Sequence, residues 1–246
     1  MNVGIIGFGY IGAVCSAALL LKEHSVLIYD KNQEQISGVA KNVFAFPEKD
    51  VEEIINEKIN SIHVANDYVE FVDVDIVVVC VNTSLQTNGR LNYSNIVDVL
   101  ESLNRENFNG KVIIRSTLPL DDDLITFLER NYKFQLFVLP EFLREGSALA
   151  DLVGSKNTVI GFQTGSLIDD DIVELFSFEH TEVHAMPIRD AIFTKLLNNT
   201  WHALKVAFAN EWNAIACENG ISDTSKIYQA FVSDKHLNIS EKYLRP

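Results

Sequence analysis

The strongest constraint on the fold lies in the first thirty residues. A short apolar stretch, Val3–Ile6, is followed at once by the glycine pattern GFGYIG at residues 7–12. A helical run comes next at Ala13–Lys22, and a second apolar stretch, Val26–Tyr29, ends at Asp30. A strand, a GxGxxG turn, a helix and a second strand make up the βαβ unit of a parallel sheet. The chain is therefore predicted to begin with a Rossmann-like α/β domain.

The three glycines and the acid at the end of the second strand indicate a dinucleotide site. Gly7 permits the tight turn, Gly9 lets the backbone approach a pyrophosphate, and Gly12 lets the helix pack closely on the strand. The helix N-terminus offers free N–H groups and a positive dipole to the phosphates. Asp30 is placed to accept the ribose hydroxyls and to repel a 2′-phosphate, which favours NAD over NADP. A glycine-rich turn without a ligand is the alternative, and the strand–turn–helix context favours the NAD site.

The alternation of strands and helices continues along the chain. The unbroken apolar run Asp75–Val81 predicts a strand buried on both faces, as is typical of a parallel sheet. Further strands are predicted at Lys111–Arg115, Phe134–Leu139, Thr158–Gly161 and Glu182–Ala185. Ligands of such sheets bind at the carboxyl ends of the strands. The loop at residues 82–84, which follows the strand Asp75–Val81, is therefore a candidate ligand loop. Residues 116–119 follow the strand Lys111–Arg115.

A charged loop, PEFLREG at residues 140–146, follows the strand at Phe134–Leu139. It carries two glutamates and an arginine at the carboxyl edge of a strand. A solvated loop is one interpretation. Because Phe142 and Leu143 stand between the charges, we instead expect a loop that is held in place and has a function.

Two acidic triplets and a histidine pair suggest metal binding at first sight. The triplets Asp121–Asp123 and Asp169–Asp171 each open a predicted helix, where carboxylates suit the N-terminal dipole. They are predicted to cap these helices. His180 and His184 have a spacing that could suit a metal, but no third ligand is evident nearby. No metal site is predicted.

One long helix is predicted at Ile188–Asn219, between Pro187 and Gly220. At ~1.5 Å per residue it would be almost 50 Å long. Most of its positions are apolar all round, so it is expected to be buried on more than one side. A domain boundary is predicted at this helix, between residues 1–187 and residues 188–246.

A narrow polar stripe interrupts the apolar surface of this helix. At ~100° per residue its members fall within about 80° of one another. They are Lys195, Asn199, His202, Asn210 and Asn213. Because an unpaired buried polar group costs roughly 1–3 kcal/mol, the stripe needs partners. These partners can be other side chains or a polar ligand, and the pattern alone leaves both open.

Charge and cysteine content exclude several classes of partner. With a net charge of −14, the chain has no basic surface for nucleic acid or an anionic membrane. No signal peptide and no membrane-spanning helix are expected. Cys15, Cys80 and Cys217 stand singly in apolar surroundings, so they are predicted to be buried free thiols in a reducing cytoplasm.

Taken in order, these motifs resemble the UDP-glucose/GDP-mannose dehydrogenase family over essentially the whole chain. The resemblance rests on GFGYIG, the Thr83 loop, RSTLP, PEFLREGSALADL and KLLNNTWHALKVAFANE, and PEFLREG is highly specific. It implies an NAD-binding domain followed by an all-α central domain that forms a homodimer through the long helix. It also implies oxidation of the C6 alcohol of a sugar nucleotide to a carboxylate by two NAD+. Both GDP-mannose and UDP-glucose are open as substrates, and the central helix is most similar to that of the GDP-mannose enzymes.

The resemblance also implies roles for individual residues. The NAD contacts, besides the three glycines, are Tyr10, Ile11, Asp30, Thr83 and Thr117, with Thr117 also counted among the catalytic residues. Glu145 would lie near the nicotinamide and position water for thioester hydrolysis. Lys195 and Asn199 would stabilise the oxyanion that develops at C6. The substrate contacts are Glu141, Phe142, Leu143, Arg144, His202 and Asn210.

The departures from the family pattern leave alternatives open. In the family, a glycine-rich segment with the catalytic cysteine follows the position of Pro246, and none of Cys15, Cys80 and Cys217 has that context. The 246 residues are therefore expected to be inactive or nearly so by themselves. One alternative is a non-catalytic NAD-binding protein that regulates by dimerising. Another is a β-hydroxyacid dehydrogenase, against which the PEFLREG motif argues.

Overall fold

The computed structural model describes residues 1–41, 44–166, 168–178 and 181–235. The chain divides into two compact units, Met1–Lys195 and Leu196–Pro246. The division falls within the long helix, so Lys195 belongs to the first unit.

The elements alternate along the chain in the manner of an α/β protein. The strands are β1 Asn2–Ile6, β2 Ser25–Tyr29, β3 Ile62–Val64, β4 Ile76–Val79, β5 Ser84–Leu85, β6 Leu91–Asn92, β7 Lys111–Ile114, β8 Gln135–Val138, β9 Asn157–Phe162 and β10 Glu182–Pro187. The α-helices are α1 Tyr10–Leu21, α2 Gln33–Ala40, α3 Lys49–Glu57, α4 Ser94–Arg105, α5 Asp122–Leu128, α6 Ala148–Val153, α7 Asp170–Glu174, α8 Ile188–Glu218 and α9 Ser225–Ser233. Short 3₁₀ helices occupy Ile59–Ser61 and Tyr68–Phe71.

The first unit contains an eight-stranded sheet in the order β10-β9-β8-β7-β4-β1-β2-β3. Neighbouring strands are parallel except β8 and β9, which pair antiparallel with Val138 opposite Gly161. The predicted Rossmann-like, mostly parallel sheet is confirmed. The reversal at β9 was not predicted, because an apolar run has the same composition in either direction.

The core forms where the strands are apolar without alternation. All four residues of β4 are buried, and so are Val3 to Ile6 of β1. Both faces of these strands are covered, as parallel sheets require. Helix α1 buries nine of its residues, Gly12 to Leu20, against this sheet and α3.

The two acidic triplets lie at helix N-termini as predicted, but they act differently. Asp121 is the N-cap of α5, and its carboxylate accepts a hydrogen bond from the N–H of Leu124 at 3.0 Å. Asp169 stands at the N-cap of α7 without such a bond. Asp169 and Asp171 instead bind the ammonium of Lys111 at 2.7 and 2.6 Å. Capping by the Asp169 side chain is therefore corrected to an ion pair.

The long helix is confirmed, and α8 ends one residue before the predicted limit. Its predicted burial is wrong for the described chain. Many of its large apolar side chains are exposed, among them Trp201, Leu204 and Trp212. The reason is that periodicity reports which side chains are apolar and not what covers them. Cys217 on α8 is likewise exposed rather than buried.

Two absences apply to the described residues only. In them no helix combines the length and the apolar content that crossing a membrane requires. Within the same ranges, no three His, Cys, Asp or Glu side chains are grouped so that they could hold a metal ion. The predicted histidine pair includes His180, which lies outside the described residues.

Candidate cofactor and substrate site

The turn between β1 and α1 has little room for side chains. Gly7 has a φ of +94°, and a Cβ there would lie 2.7 Å from the carbonyl carbon of Cys80. A Cβ at Gly12 would lie 2.0 Å from the carbonyl oxygen of Gly7. At Gly9 the corresponding space is open. The first and last glycines therefore hold the turn together, and the middle one leaves the backbone accessible.

A cavity of about 510 Å³ adjoins this turn at the carboxyl ends of β1 and β2. It is lined by Ile6, Gly7, Gly9, Tyr29, Asp30, Lys31, Asn32, Gln35, Tyr68, Cys80, Val81, Asn82, Asn95, Asp98, Val99 and Ser102. Asp30 accepts hydrogen bonds from the N–H groups of Phe8 and Asn32, both at 2.8 Å. Because each carboxylate oxygen has two lone pairs, Asp30 can still accept bonds from a ligand.

Sequence reasoning missed most of the wall of this cavity. The rings of Tyr29 and Tyr68 pack with centroids 5.0 Å apart. Burial, and after it the proximity of Tyr29 and of the acids Asp98 and Asp30, raises the pKa of Tyr68 to about 12, so its hydroxyl stays protonated at neutral pH. Nothing in the spacing of these residues marks them, because the fold alone brings residues 29, 68 and 98 to one wall.

A second cavity of about 420 Å³ lies at the carboxyl ends of β4 and β7. It is lined by Tyr10, Ile11, Cys80, Val81, Asn82, Thr83, Ser84, Arg115, Ser116, Thr117 and Glu141. Five of these were predicted as site residues from separate motifs: Tyr10, Ile11, Thr83, Thr117 and Glu141. The hydroxyl of Ser116 donates to the carbonyl of Val81 at 2.7 Å. This bond joins the loop that follows β7 to the loop that follows β4.

A buried ion pair joins Lys195 of α8 to Glu141 of the charged loop. The ammonium donates to Glu141 Oε1 at 2.7 Å and also to the carbonyl oxygen of Glu141. It lies 5.6 Å from the ring centroid of Phe142. A cation over an aromatic face gains further electrostatic stabilisation. Lys195 is thus fixed in place beside the second cavity.

Arg115 is a further charged group of the second cavity and was not predicted as a site residue. Its guanidinium is buried and lies 4.7 Å from the ring centroid of Phe176. Its Nε has no hydrogen-bond partner among the described residues. Arg115 is the first residue of the RSTLP motif, which could have marked it as a site residue. The strand pattern alone does not distinguish it from an ordinary charged residue at the end of a strand.

The thiols of Cys15 and Cys80 are buried close to this guanidinium. The pKa of the Cys80 thiol is raised, mainly by its contact with the Cys15 thiol and secondly by burial. A buried protonated thiol is a weak nucleophile. Cys80 lines both cavities, but in this state it acts as part of the wall.

The loop at residues 140–146 is held by hydrogen bonds. Glu141 accepts from the N–H of Leu143 at 2.8 Å. Arg144 donates to Asp151 through its N–H, Nε and Nη2, at 2.9, 3.0 and 2.5 Å. Glu145 is exposed and lines neither of the two cavities.

The remaining predicted residues belong to the second unit. Asn199 and Asn210 are exposed, and His202 is half-buried. Asn213 accepts a hydrogen bond from the hydroxyl of Tyr228 at 2.6 Å, while its Nδ2 is buried without a described partner. The stripe therefore has a side-chain partner at Asn213 and solvent-facing members at Asn199 and Asn210.

Comparison with known proteins places this arrangement in a family. Residues 1–177 match the sequence model of the UDP-glucose/GDP-mannose dehydrogenase family, NAD binding domain. Residues 189–246 match that of the central domain of the same family. The NAD prediction and the predicted resemblance are thereby confirmed.

Individual relatives cover all or nearly all of the chain. A GDP-mannose 6-dehydrogenase from Pseudomonas putida is 30% identical, over 100% of this chain and 59% of its own length. A UDP-glucose 6-dehydrogenase from Campylobacter jejuni is 26% identical, over 96% of this chain and 61% of its own length. This chain thus spans about three-fifths of the length of the curated relatives it matches.

Solved structures give the same result. A ternary complex of GDP-mannose dehydrogenase from Pseudomonas aeruginosa superposes with a TM-score of 0.83 at 27% identity, covering 100% of this chain and 60% of that one. A UDP-glucose dehydrogenase from Pyrobaculum islandicum gives 0.82 at 25% identity, covering 99% and 58%. The chain belongs to the UDP-glucose/GDP-mannose dehydrogenase family.

Proposed function

We propose that the chain forms the cofactor site and part of the substrate site of a nucleotide-sugar 6-dehydrogenase. The reaction is oxidation of the C6 alcohol of a sugar nucleotide of the GDP-mannose or UDP-glucose type to a carboxylate. One observation carries the proposal: Tyr10, Thr83, Thr117 and Glu141 line one cavity, with Lys195 held on Glu141 beside it.

The overall chemistry sets what the site must supply. Conversion of a primary alcohol to a carboxylate removes four electrons, and its second oxygen comes from water. NAD+, when bound, takes two electrons as a hydride, so two equivalents are needed for each sugar. The protein must bind the alcohol, stabilise the charge on its oxygen as the proton leaves, and admit water for the second stage.

Lys195 suits the charge-stabilising task. An ammonium has three N–H donors, and Glu141 takes two of them through a carboxylate oxygen and a carbonyl oxygen. One donor therefore remains for the C6 oxygen. Because the lysine is already fixed by these two bonds, it needs no reorganisation during the reaction.

The carboxylate of Glu145, the remaining residues of the charged loop and three residues of the second unit complete the proposal. The exposed side chain of Glu145 keeps its access to water, as its proposed task in thioester hydrolysis requires. Asn199 is proposed to assist Lys195 at the oxyanion, and His202 and Asn210 to contact the sugar nucleotide. Phe142, Leu143 and Arg144 are proposed to line the substrate site together with Glu141.

The test is NADH formation by the complete gene product with GDP-mannose, UDP-glucose and, for comparison, 3-hydroxyisobutyrate. We expect two NADH per sugar nucleotide consumed and no NADH from the hydroxyacid. NADH from the hydroxyacid alone would replace the proposal by a β-hydroxyacid dehydrogenase. NAD binding without oxidation of any of the three would support the regulatory alternative. Residues 1–246 alone are expected to give no steady NADH production.

We further propose that two chains pair through α8. In the second unit, large apolar side chains recur every three or four residues along one face of this helix. They are Leu197, Trp201, Leu204, Phe208, Trp212 and Ile215, each at least 40% exposed. A continuous apolar face of this length and exposure is typical of an interface between chains. An identical helix offers a second copy of the same face.

Sedimentation analysis of the chain tests the pairing. We expect the mass of two chains for the wild type and of one chain for Leu204→Glu, which places a charge in the middle of the face. Val206→Glu is the control, because Val206 is also exposed but lies ~200° further round the helix. A monomeric wild type, or equal effects of both variants, would contradict the proposal.

A further inference from the structure

The carboxylate of Glu48 lies at a junction of three segments that are distant in sequence. Glu48 is the N-cap residue of α3, and its side chain is buried. Its Oε1 accepts from the N–H of Gly146 at 2.7 Å, and its Oε2 accepts from the N–H of Ala148 at 3.0 Å. The hydroxyl of Tyr10 donates to the same Oε1. The N–H of Gly146 also lies 3.2 Å from the Tyr10 oxygen, which closes a three-way junction.

The charge of Glu48 is suited to these donors. Hydrogen bonds to an ionised carboxylate are shorter and stronger than neutral ones. The N–H of Ala148 is one of the groups at the start of α6 that have no partner within the helix. Burial and the hydrogen bond to Glu48 raise the pKa of Tyr10, so its hydroxyl remains a donor at neutral pH. A neutral side chain of the same shape could not accept from all three groups.

Tyr10 belongs to the proposed site and Gly146 adjoins a residue of it, although Glu48 does not belong to the site. Tyr10 begins α1 immediately after Gly9 and lines the second cavity. Gly146 follows Glu145 and ends the charged loop, with a φ of +83°. Glu48 lines neither of the two cavities described above. It therefore joins the turn between β1 and α1, which we call the cofactor-binding turn, to the charged loop from outside the two cavities.

The charged loop is thus fixed at both ends by buried groups. At its beginning, Lys195 binds the carbonyl and the carboxylate of Glu141. At its end, Glu48 binds Gly146 and Ala148. The backbone between these two attachments carries Glu145. The position of Glu145 relative to Tyr10 is consequently set by the junction at Glu48.

We infer that Glu48 is a positioning residue, which fixes the loop that ends at Gly146 against the cofactor-binding turn at Tyr10. This inference rests on the proposed function for its effect on catalysis, because only that function gives Glu145 a role. The geometric part stands without it. Loss of the junction should let the loop and the turn move relative to each other while both cavities keep their own residues.

The test compares Glu48→Gln with Glu52→Gln in the complete gene product. Glu52 lies on α3 and also accepts a backbone hydrogen bond, from the N–H of Phe46 at 2.8 Å, but it has no described hydrogen bond to Tyr10 or Gly146. Both variants remove one charge and keep the side-chain shape. For Glu48→Gln we expect kcat to fall about tenfold or more, as a small misplacement of catalytic groups does. For Glu52→Gln we expect kcat and NAD affinity within about twofold of wild type at a comparable melting temperature.

A second variant tests whether the junction acts as a unit. Tyr10→Phe removes one donor and leaves the two N–H groups on Glu48. Because both changes disrupt the same junction, the double variant Tyr10→Phe/Glu48→Gln should lose less than the product of the two single effects on kcat. Multiplicative losses, or equal losses of kcat in Glu48→Gln and Glu52→Gln, would overturn the inference.

A readout independent of turnover separates this inference from the proposed function. Amide hydrogen exchange at Gly146 and Ala148 should accelerate at least tenfold in Glu48→Gln and stay unchanged in Glu52→Gln, with the rest of the sheet protected in both. This result with a wild type that oxidises no sugar nucleotide would leave the junction intact and reject the proposed function. Unchanged exchange in Glu48→Gln would reject the junction whatever the activity.

Discussion

The ammonium of Lys195 and the carboxylate of Glu141 lie 2.7 Å apart and are both almost fully withdrawn from solvent, with 9% and 13% of their side chains exposed. The two residues come from the first turns of α8 and from the loop that follows β8. The pairing holds Lys195 next to Glu141, which lines the second cavity. Because screening by water is weak there, each charge depends on the other for compensation, and removal of either one leaves an uncompensated buried charge.

Replacing Lys195 by Met tests this pair. The variant leaves Glu141 buried without its cation, and breaking a buried pair in this way costs roughly 3–5 kcal/mol. We expect urea denaturation to show a loss of that order and Lys195→Met/Glu141→Gln to recover part of it. Lys49→Met is the control, since Lys49 pairs with Glu53 at the surface and should contribute less than about 1 kcal/mol. Equal losses for the two methionine variants would contradict the assignment.

The glycines of the first turn give a matched pair of variants. Gly12→Ala places a methyl group 2.0 Å from the carbonyl oxygen of Gly7, so the turn must open and the melting temperature should fall by several degrees. Gly9→Ala meets no protein atom within 4 Å and has an extended backbone, with φ −79°. It should keep the melting temperature but weaken NAD binding about tenfold or more, because the methyl occupies the space that the pyrophosphate would approach. The measurement is calorimetric titration of NAD. An unchanged NAD affinity in Gly9→Ala would contradict the assignment of the pyrophosphate site to this turn.

Asp30 is expected to decide between NAD and NADP. Asp30→Asn keeps the size of the side chain and removes its negative charge, which repels a 2′-phosphate. We expect the ratio of the NADP and NAD dissociation constants to fall by roughly tenfold, which corresponds to about 1.4 kcal/mol. The measurement is titration of both cofactors onto wild type and variant. A ratio that does not change would show that another group discriminates.

The bond network between Arg144 and Asp151 predicts a dependence of stability on pH. Burial raises the pKa of Asp151, but hydrogen bonds from Arg144 outweigh it, so the pKa lies below its ordinary value. The folded protein therefore holds this proton less tightly than the unfolded chain. The stabilisation is present above the unfolded pKa of about 3.9 and is lost as the pH falls through the folded value.

The variant Asp151→Asn isolates this contribution. Its free energy of unfolding should lie about 1–3 kcal/mol below that of wild type at pH 7, and the difference should shrink as the pH falls below about 4. Asp50→Asn serves as the control, because Asp50 is exposed and its described bond is to the adjacent N–H of Val51. A difference for Asp151→Asn that grows on acidification would have the wrong sign for this mechanism.

Local patterns were sufficient to predict the βαβ start, the apolar strands and the long helix. Runs such as Ile76–Val79 leave no polar face, so a strand buried on both sides is the natural solution. The turn between β1 and α1 is marked by a glycine pattern that lies within residues 7–12. These features depend on neighbours within a few positions, which a sequence displays directly.

Features made by distant residues could not be predicted in the same way. Glu48 and Gly146 are 98 residues apart in sequence and are brought together by the fold, and neither position carries a periodic signal. The exposure of Trp201 and Cys217 depends on what covers α8, which the pattern of apolar residues does not contain. The charged loop was expected to be fixed by Phe142 and Leu143, whereas hydrogen bonds to Lys195 and Glu48 hold its two ends.

The reversal at β9 has a consequence for how α8 reaches the site. Because β9 and β10 run opposite to β8, β10 ends at Pro187 level with Phe162 of β9 and Phe137 of β8. Helix α8 therefore begins beside Gly161, whose Cβ position lies 2.7 Å from Ala191. From Ile188 to Lys195 the helix rises ~10 Å along its own axis, and the Lys195 ammonium there binds Glu141. The number of residues in this segment therefore sets the position of Lys195. One inserted residue between Ile188 and Lys195 would turn Lys195 by ~100° away from Glu141, so the ion pair requires a fixed number of residues in this part of the chain.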